Sequence, residues 1–192
     1  MRKYLFVLLA VCIMLCSSAC NAPSPTTEAD EVATIRSFYS ISANEDMTYS
    51  YRIIDKNGKV LFSDDHSPRE PQIEQVSRDV YGVTIQTGTG LSTNWAVYCD
   101  VENSKVSETF QYVLMAQGNY VVYANYENGE HSVIVQNIFD QSAYYQKQIL
   151  ENCSPVAGDV VVAARPNGDG VAVVTYLIGD DYKETELTIN FP

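Results

Sequence analysis

Along most of the chain, apolar and polar positions alternate with a period of two, the spacing at which successive side chains of an extended strand point to opposite faces. "TYSYRIID" and "KVLFSD" stand on either side of "KNG", and "YVVYANYE" and "HSVIVQNIFD" on either side of "NGE". Each is a pair of β-branched or aromatic runs around an Asn-Gly turn, the strongest local signal for a hairpin. Runs of the same kind follow in "VYGVTIQT", "NWAVYCDV", "GDVVVAA", "GVAVVTYLI" and "KETELTINF". Convincing helical spacing is absent. "REPQIEQVSRD" has room for one turn of helix, but Pro68 and Pro71 favour an extended approach instead. The 14 tyrosines fall mostly inside these runs and suit a sheet whose rings straddle buried and wet faces.

The runs also recur. "VYGVTIQTGTGLSTNWAVYCDVENSKVSETF" from Val80 and "NYVVYANYENGEHSVIVQNIFDQSAYYQKQI" from Asn119 superimpose at an offset of about 37 to 39 residues, each as strand, turn, strand, short turn, strand. A further copy begins at Asp169 after a longer insert, and "RSFYSISANEDMTYSYRIIDKNGKVLFS" from Arg36 makes a partial first one. A repeat of about 40 residues made of antiparallel strands has the size of a propeller blade. The expected fold class is therefore all-β, with about fourteen antiparallel strands in an open or small β-propeller-like arrangement of three to four blades, or alternatively a β-sandwich. Lys105, Glu108, Lys183 and Glu184 fall on candidate outer strands, where charge discourages edge-to-edge pairing. "AARPNGDGVAVVTY" resembles the strand-turn-strand of periplasmic propeller repeats, without the Gly-His and Trp-Asp marks of the best-known propeller repeat. "IIDKNGKVLFS", "TGTG" and "VIVQNIFD", in this order, resemble small surface lipoproteins of gut Firmicutes.

The first residues follow a different logic. "MRK" places two cations before the apolar stretch Tyr4 to Leu15, followed by "SSA" and Cys20, the three-part plan of a secretory leader. Such a stretch rises only about 18 Å as a helix, short of the roughly 30 Å hydrocarbon core, so a permanent span is disfavoured. "LCSSAC" resembles a bacterial lipoprotein signal, with "SSAC" as the lipobox and Ser17 where that family usually carries leucine. The resemblance implies that the Cys20 thiol receives a diacylglycerol group and that cleavage follows before it. The expected organisation is then a signal peptide over 1–19, a tether over 20–34 and a single all-β domain over 35–192. "NAPSPTTEADE" within the tether has almost nothing to bury and reads as a solvated spacer. An ordinary leader cut near Ala19 is the other reading.

Charge narrows the partners. The formal balance is −12, and loss of Arg2 and Lys3 with the leader makes it more negative. Nucleic acid, anionic headgroups and phosphate-rich wall polymers carry the same sign and are not expected as partners. Of the 5 cysteines, Cys12 and Cys16 leave with the leader and Cys20 takes the lipid. Cys99 and Cys153 remain, either as a disulfide or as two buried thiols.

Several stretches invite chemistry. "DKNG" at 55–58 and "NGDG" at 167–170 look like the start of a calcium loop, but the twelfth positions are His66 and Ile178 rather than a bidentate Glu. Turn formation accounts for both. The 2 histidines are His66 beside Asp64 and Asp65, read as a polar loop, and His131, read as an exposed strand start. No nucleophile elbow appears, and among 24 acids a chance carboxylate pair carries no information. "TGTGLSTN" lacks the lysine and following helix of a phosphate loop and reads as a hairpin loop. Trp95, the only tryptophan, follows it and is either a core residue or a stacking platform for a sugar. No catalytic, cofactor-binding or metal residue is assigned; the one site residue is Cys20, for lipidation. These features point to a lipid-anchored protein on the extracytoplasmic face of the cell membrane, a non-enzymatic binding or protein-interaction module with a possible envelope protein partner. The alternative is a carbohydrate- or solute-binding lipoprotein.

Overall fold

The computed structural model describes residues 37–90, 93–143, 145–155, 160–168 and 170–190. Cys20 and the residues expected to form a leader (1–19) and a tether (20–34) lie outside the described residues. The described residues hold 15 strands and no helix. They form four antiparallel sheets, each a meander that follows the chain, and none closes into a barrel. Sheet 1 is β1 (Tyr39–Ala43), β2 (Tyr49–Ile54) and β3 (Val60–Ser67). Sheet 2 is β4 (Gln72–Ser77), β5 (Val80–Gln86), β6 (Asn94–Asp100) and β7 (Lys105–Val106), with β8 (Phe110–Gln111) also pairing β6. Sheet 3 is β9 (Val113–Gln117), β10 (Tyr120–Glu127), β11 (Glu130–Asn137) and β12 (Tyr145–Ile149). Sheet 4 is β13 (Val161–Pro166), β14 (Val171–Ile178) and β15 (Lys183–Asn190). The segment that had room for a helical turn after Pro71 is strand β4.

Both Asn-Gly hairpins form, by different turns. Asn128 and Gly129 each have positive φ, 54° and 83°, the type I′ geometry whose twist matches two antiparallel strands. At "DKNG" only Gly58 is left-handed, at 85°. There the Gly58 N–H donates to the Asp55 carbonyl (3.0 Å), so a type I turn is followed by a glycine that closes the loop.

Buried residues gather in three clusters, one between each consecutive pair of sheets. Tyr51 and Ile53 of sheet 1 meet Val83, Ile85 and Cys99 of sheet 2. Ala96, Tyr98 and Phe110 of sheet 2 meet Val113, Val121 and Ile138 on the sheet 3 side. Val122, Val133 and Val135 of sheet 3 meet Ala172, Val174 and Ile189 of sheet 4. The two middle sheets are therefore buried on both faces, and their strands β6 and β11 carry the unbroken apolar runs "WAVYC" and "VIV". The last strand, "KETELTIN", keeps a clean alternation because only one of its faces is covered. Close approach at one point requires glycine. A Cβ on Gly82 would lie 2.9 Å from the ring of Tyr98, its cross-strand partner.

Candidate functional site

The chain changes sheets at a single residue. Phe110 and Gln111 pair with β6 in sheet 2, Val113 begins sheet 3, and Tyr112 lies between them. Its N–H donates to the Asn94 carbonyl in sheet 2 (2.9 Å), and its carbonyl accepts from the Ala124 N–H in sheet 3 (2.9 Å). This crossing forces Tyr112 to a φ of 57°, a left-handed conformation that a bulky side chain rarely adopts. Asn94 holds the crossing in place. Its side-chain oxygen accepts from the Val113 N–H and its amide nitrogen donates to the Val113 carbonyl, each at 2.8 Å. The side chain thus satisfies both groups of one buried residue, as a neighbouring strand would.

The geometry leaves Tyr112 48% exposed, beside two concavities. The smaller, about 410 Å³, is walled by the rings of Phe62, Trp95 and Tyr112, with Thr87, Thr109 and Gln111 at its rim. Trp95 is half-buried: it packs against the core cluster between sheets 1 and 2 and meets Phe62 edge-on, their centroids 6.4 Å apart. It is both a core residue and a pocket wall. No charged side chain is among the described residues lining this pocket. The larger concavity, about 1160 Å³, runs from Tyr112 and Thr93 across Asn125, Tyr126 and His131 to Asn152 and Ser154. The Tyr126 and His131 rings lie 4.5 Å apart, and Glu130 on the same rim pairs with Lys147 at 2.7 Å. Ser154 is buried, and its hydroxyl has no hydrogen-bond partner among the described residues.

Thr89 and Gly90 of the loop "TGTG" at 87–90 line the larger concavity, and Thr87 lines the smaller one. The Thr93 carbonyl accepts from the N–H groups of Thr87 (2.7 Å) and Gly88 (3.2 Å), and the Gln86 amide donates to the Gly90 carbonyl (2.7 Å). A Cβ on Gly88 would sit 2.8 Å from the Thr93 hydroxyl, so the tight return of this loop requires glycine there.

The other candidates fall elsewhere. Asp55 is buried, and its carboxylate is fully engaged: it accepts from the N–H groups of Asn57 (2.8 Å) and Lys59 (2.9 Å) and from the Ser104 hydroxyl (2.7 Å). The Ser104 hydrogen bond, then those from the backbone, hold its pKa below the ordinary carboxylate range. "DKNG" is therefore a turn that ties sheet 1 to sheet 2. In "NGDG" Gly168 and Gly170 have positive φ, while Asp169 lies outside the described residues. His66 is exposed, and its main-chain N–H donates to the Asp64 carboxylate (2.9 Å). Among the described residues no cluster of three potential metal ligands occurs. His131 is not the exposed strand start expected, because the Tyr126 ring across the hairpin covers it.

Cys99 and Cys153 are both free. Cys99 is sealed between sheets 1 and 2, where burial pushes its thiol up to about 12. Cys153 packs against the cluster between sheets 3 and 4, with its thiol donating to the Leu150 carbonyl (3.3 Å). Lys105 lies on β7 and Lys183 and Glu184 on β15, all exposed edge strands, whereas Glu108 falls in the loop before β8 and pairs with Gln141.

Sequence reasoning missed Tyr112, Asn94 and Tyr126. "FQYVLMAQ" reads as one continuous strand, and nothing local marks where it leaves one sheet for another. The arrangement defines an all-β protein of serial antiparallel sheets, with an aromatic, uncharged pocket where the second sheet passes to the third. Compared with known proteins, the chain matches no family, no curated protein and no solved structure.

Proposed function

We propose that this chain is a lipid-anchored binding module of the cell envelope, held through Cys20 on the extracytoplasmic face and recognising its ligand without transforming it. The observation that carries the binding role is Tyr112. A strained backbone conformation persists only where its surroundings over-determine it, and such residues concentrate at ligand sites. Here hydrogen bonds from both sheets hold the strain, and its result is a ring presented to two concavities, one of them also walled by Trp95. The core does not need this ring, because it is half exposed. Anchoring rests on the lipobox-like "SSAC" and on the acidic, Pro-, Ser- and Thr-rich stretch after it. Two or more acyl chains hold a protein stably at a bilayer, where a single one is marginal.

The two parts are tested separately. Cells fed a clickable fatty acid should label the wild type and not Cys20→Ala; an unlabelled wild type would remove the anchor. For binding, the full-length chain in detergent is sedimented with washed envelope material. Wild type should pellet and Tyr112→Gly should stay in the supernatant; equal distribution of the two defeats the binding site.

The second reading, a carbohydrate- or solute-binding lipoprotein, is favoured by the uncharged, ring-walled pocket at Trp95. A protein partner is favoured by the volume of the larger concavity, about 1160 Å³.

A further inference from the structure

We infer that the Trp95–Tyr112 pocket takes a neutral glycan, a deepening that rests on the binding-module reading above. A sugar ring offers two chemistries at once. Its C–H faces are apolar and lie against aromatic rings, while its equatorial hydroxyls, at the perimeter, need donors and acceptors. The pocket is built in the same two parts. Phe62, Trp95 and Tyr112 supply ring surface, and Gln111 and Thr109, both exposed at the rim, supply an amide and a hydroxyl. Its volume of about 410 Å³ lies in the range of small-ligand sites.

Charge selects against acidic glycans. The chain carries −12, and the described lining offers no Lys, Arg or His to offset a carboxylate, sulfate or phosphate. Backbone pairing selects against an added peptide strand. Trp95 lies on β6 with Ile85 across one side and Gln111 across the other, so the ladder at the pocket is already filled. What remains for recognition is ring surface and neutral side-chain polarity. Tyr112 also borders the larger concavity, so a chain of sugars leaving the pocket passes over its ring toward Asn125 and Tyr126.

The only tryptophan stands in the proposed site, so binding reports itself in its fluorescence. The full-length chain in detergent is titrated with neutral oligosaccharides of glucose, mannose, xylose and N-acetylglucosamine, with polygalacturonate and with a proline-rich peptide. Saturable change is expected with at least one neutral series and with neither of the other two. Tyr112→Gly should weaken that affinity by about ten-fold or more, while Tyr112→Phe keeps it. Glycine suits the left-handed backbone, so this variant should melt at or above wild type, which separates loss of the ring from loss of the fold. Silence from every neutral series, a response confined to polygalacturonate or the peptide, or unchanged affinity in Tyr112→Gly overturns the inference. If wild type still pellets with envelope material and Tyr112→Gly does not, while every neutral glycan is silent, the glycan falls and the binding module stands.

Discussion

Replacing Asn94 with alanine removes the clamp at the sheet crossing and leaves two buried main-chain groups of Val113 without partners. Asn94 is 8% exposed and Val113 7%, so water has little access to either. A buried polar group stripped of its hydrogen bond costs about 1–3 kcal/mol, and two such groups cost about 2–6 kcal/mol. That is a large part of the roughly 5–15 kcal/mol that holds a domain folded. For a domain of this size each kcal/mol moves the melting temperature by about 2–4 °C, so Asn94→Ala should melt about 4–24 °C below wild type. Urea unfolding followed by Trp95 fluorescence and by far-ultraviolet circular dichroism measures the loss directly. Asn94→Asp sharpens the test. It keeps an acceptor for the Val113 N–H but turns a carboxylate oxygen toward the Val113 carbonyl, so the charged form is disfavoured and its pKa is raised in the folded state. The variant should therefore gain stability as pH falls, when protonation restores a donor. A loss below about 1 kcal/mol in Asn94→Ala would refute the argument that this side chain stands in for a strand.

Further consequences follow from the packing. Gly82→Ala places a methyl 2.9 Å from the ring of Tyr98, which is 2% exposed and has no room to move, and should cost about 1–3 kcal/mol in a denaturant titration; an unchanged midpoint would show that the ring yields. Cys99, with its thiol pushed up to about 12, should resist a small thiol reagent at about pH 8 until denaturant is added; labelling of Cys99 within minutes in the native state contradicts its burial. Asp55 has a lowered pKa in the folded state, so its contribution is complete above the ordinary carboxylate value and is lost as pH falls through the lowered one. The gap in melting temperature between wild type and Asp55→Asn should therefore be widest near neutral pH and close in acid, and a gap that does not change with pH would argue against the carboxylate as its cause.

Much of the strand content is legible along the chain because it depends on neighbours. "YVVYANYENGEHSVIVQN" contains its own hairpin: alternation specifies two strands, and Asn128-Gly129 supplies the two positive φ angles that join them. The repeat is legible for the same reason, since each copy is a local meander, and the copies appear as serial sheets. Where the structure departs from expectation, a distant group intervenes. "DKNG" forms the turn expected of it, but its own residues do not show that Ser104, far along the chain, takes the second oxygen of Asp55. His131 looks exposed at the start of a strand, but within the same hairpin the Tyr126 ring packs against it at a tilt.

The sequence by itself determined that the chain is made of strands and where many of them turn, because both follow from spacing and turn chemistry within a few residues. It also carried the leader-like residues ending at Cys20. Only the tertiary structure decided that the run "FQYVLMAQ" is divided between two sheets, that Asn94 bridges the break, and that Tyr112 pays for the crossing with a strained backbone and an exposed ring beside Trp95. The physical reason is range: a strand's period is set by its own residues, whereas the point at which it changes partners depends on which unfilled sheet edge each of its halves meets.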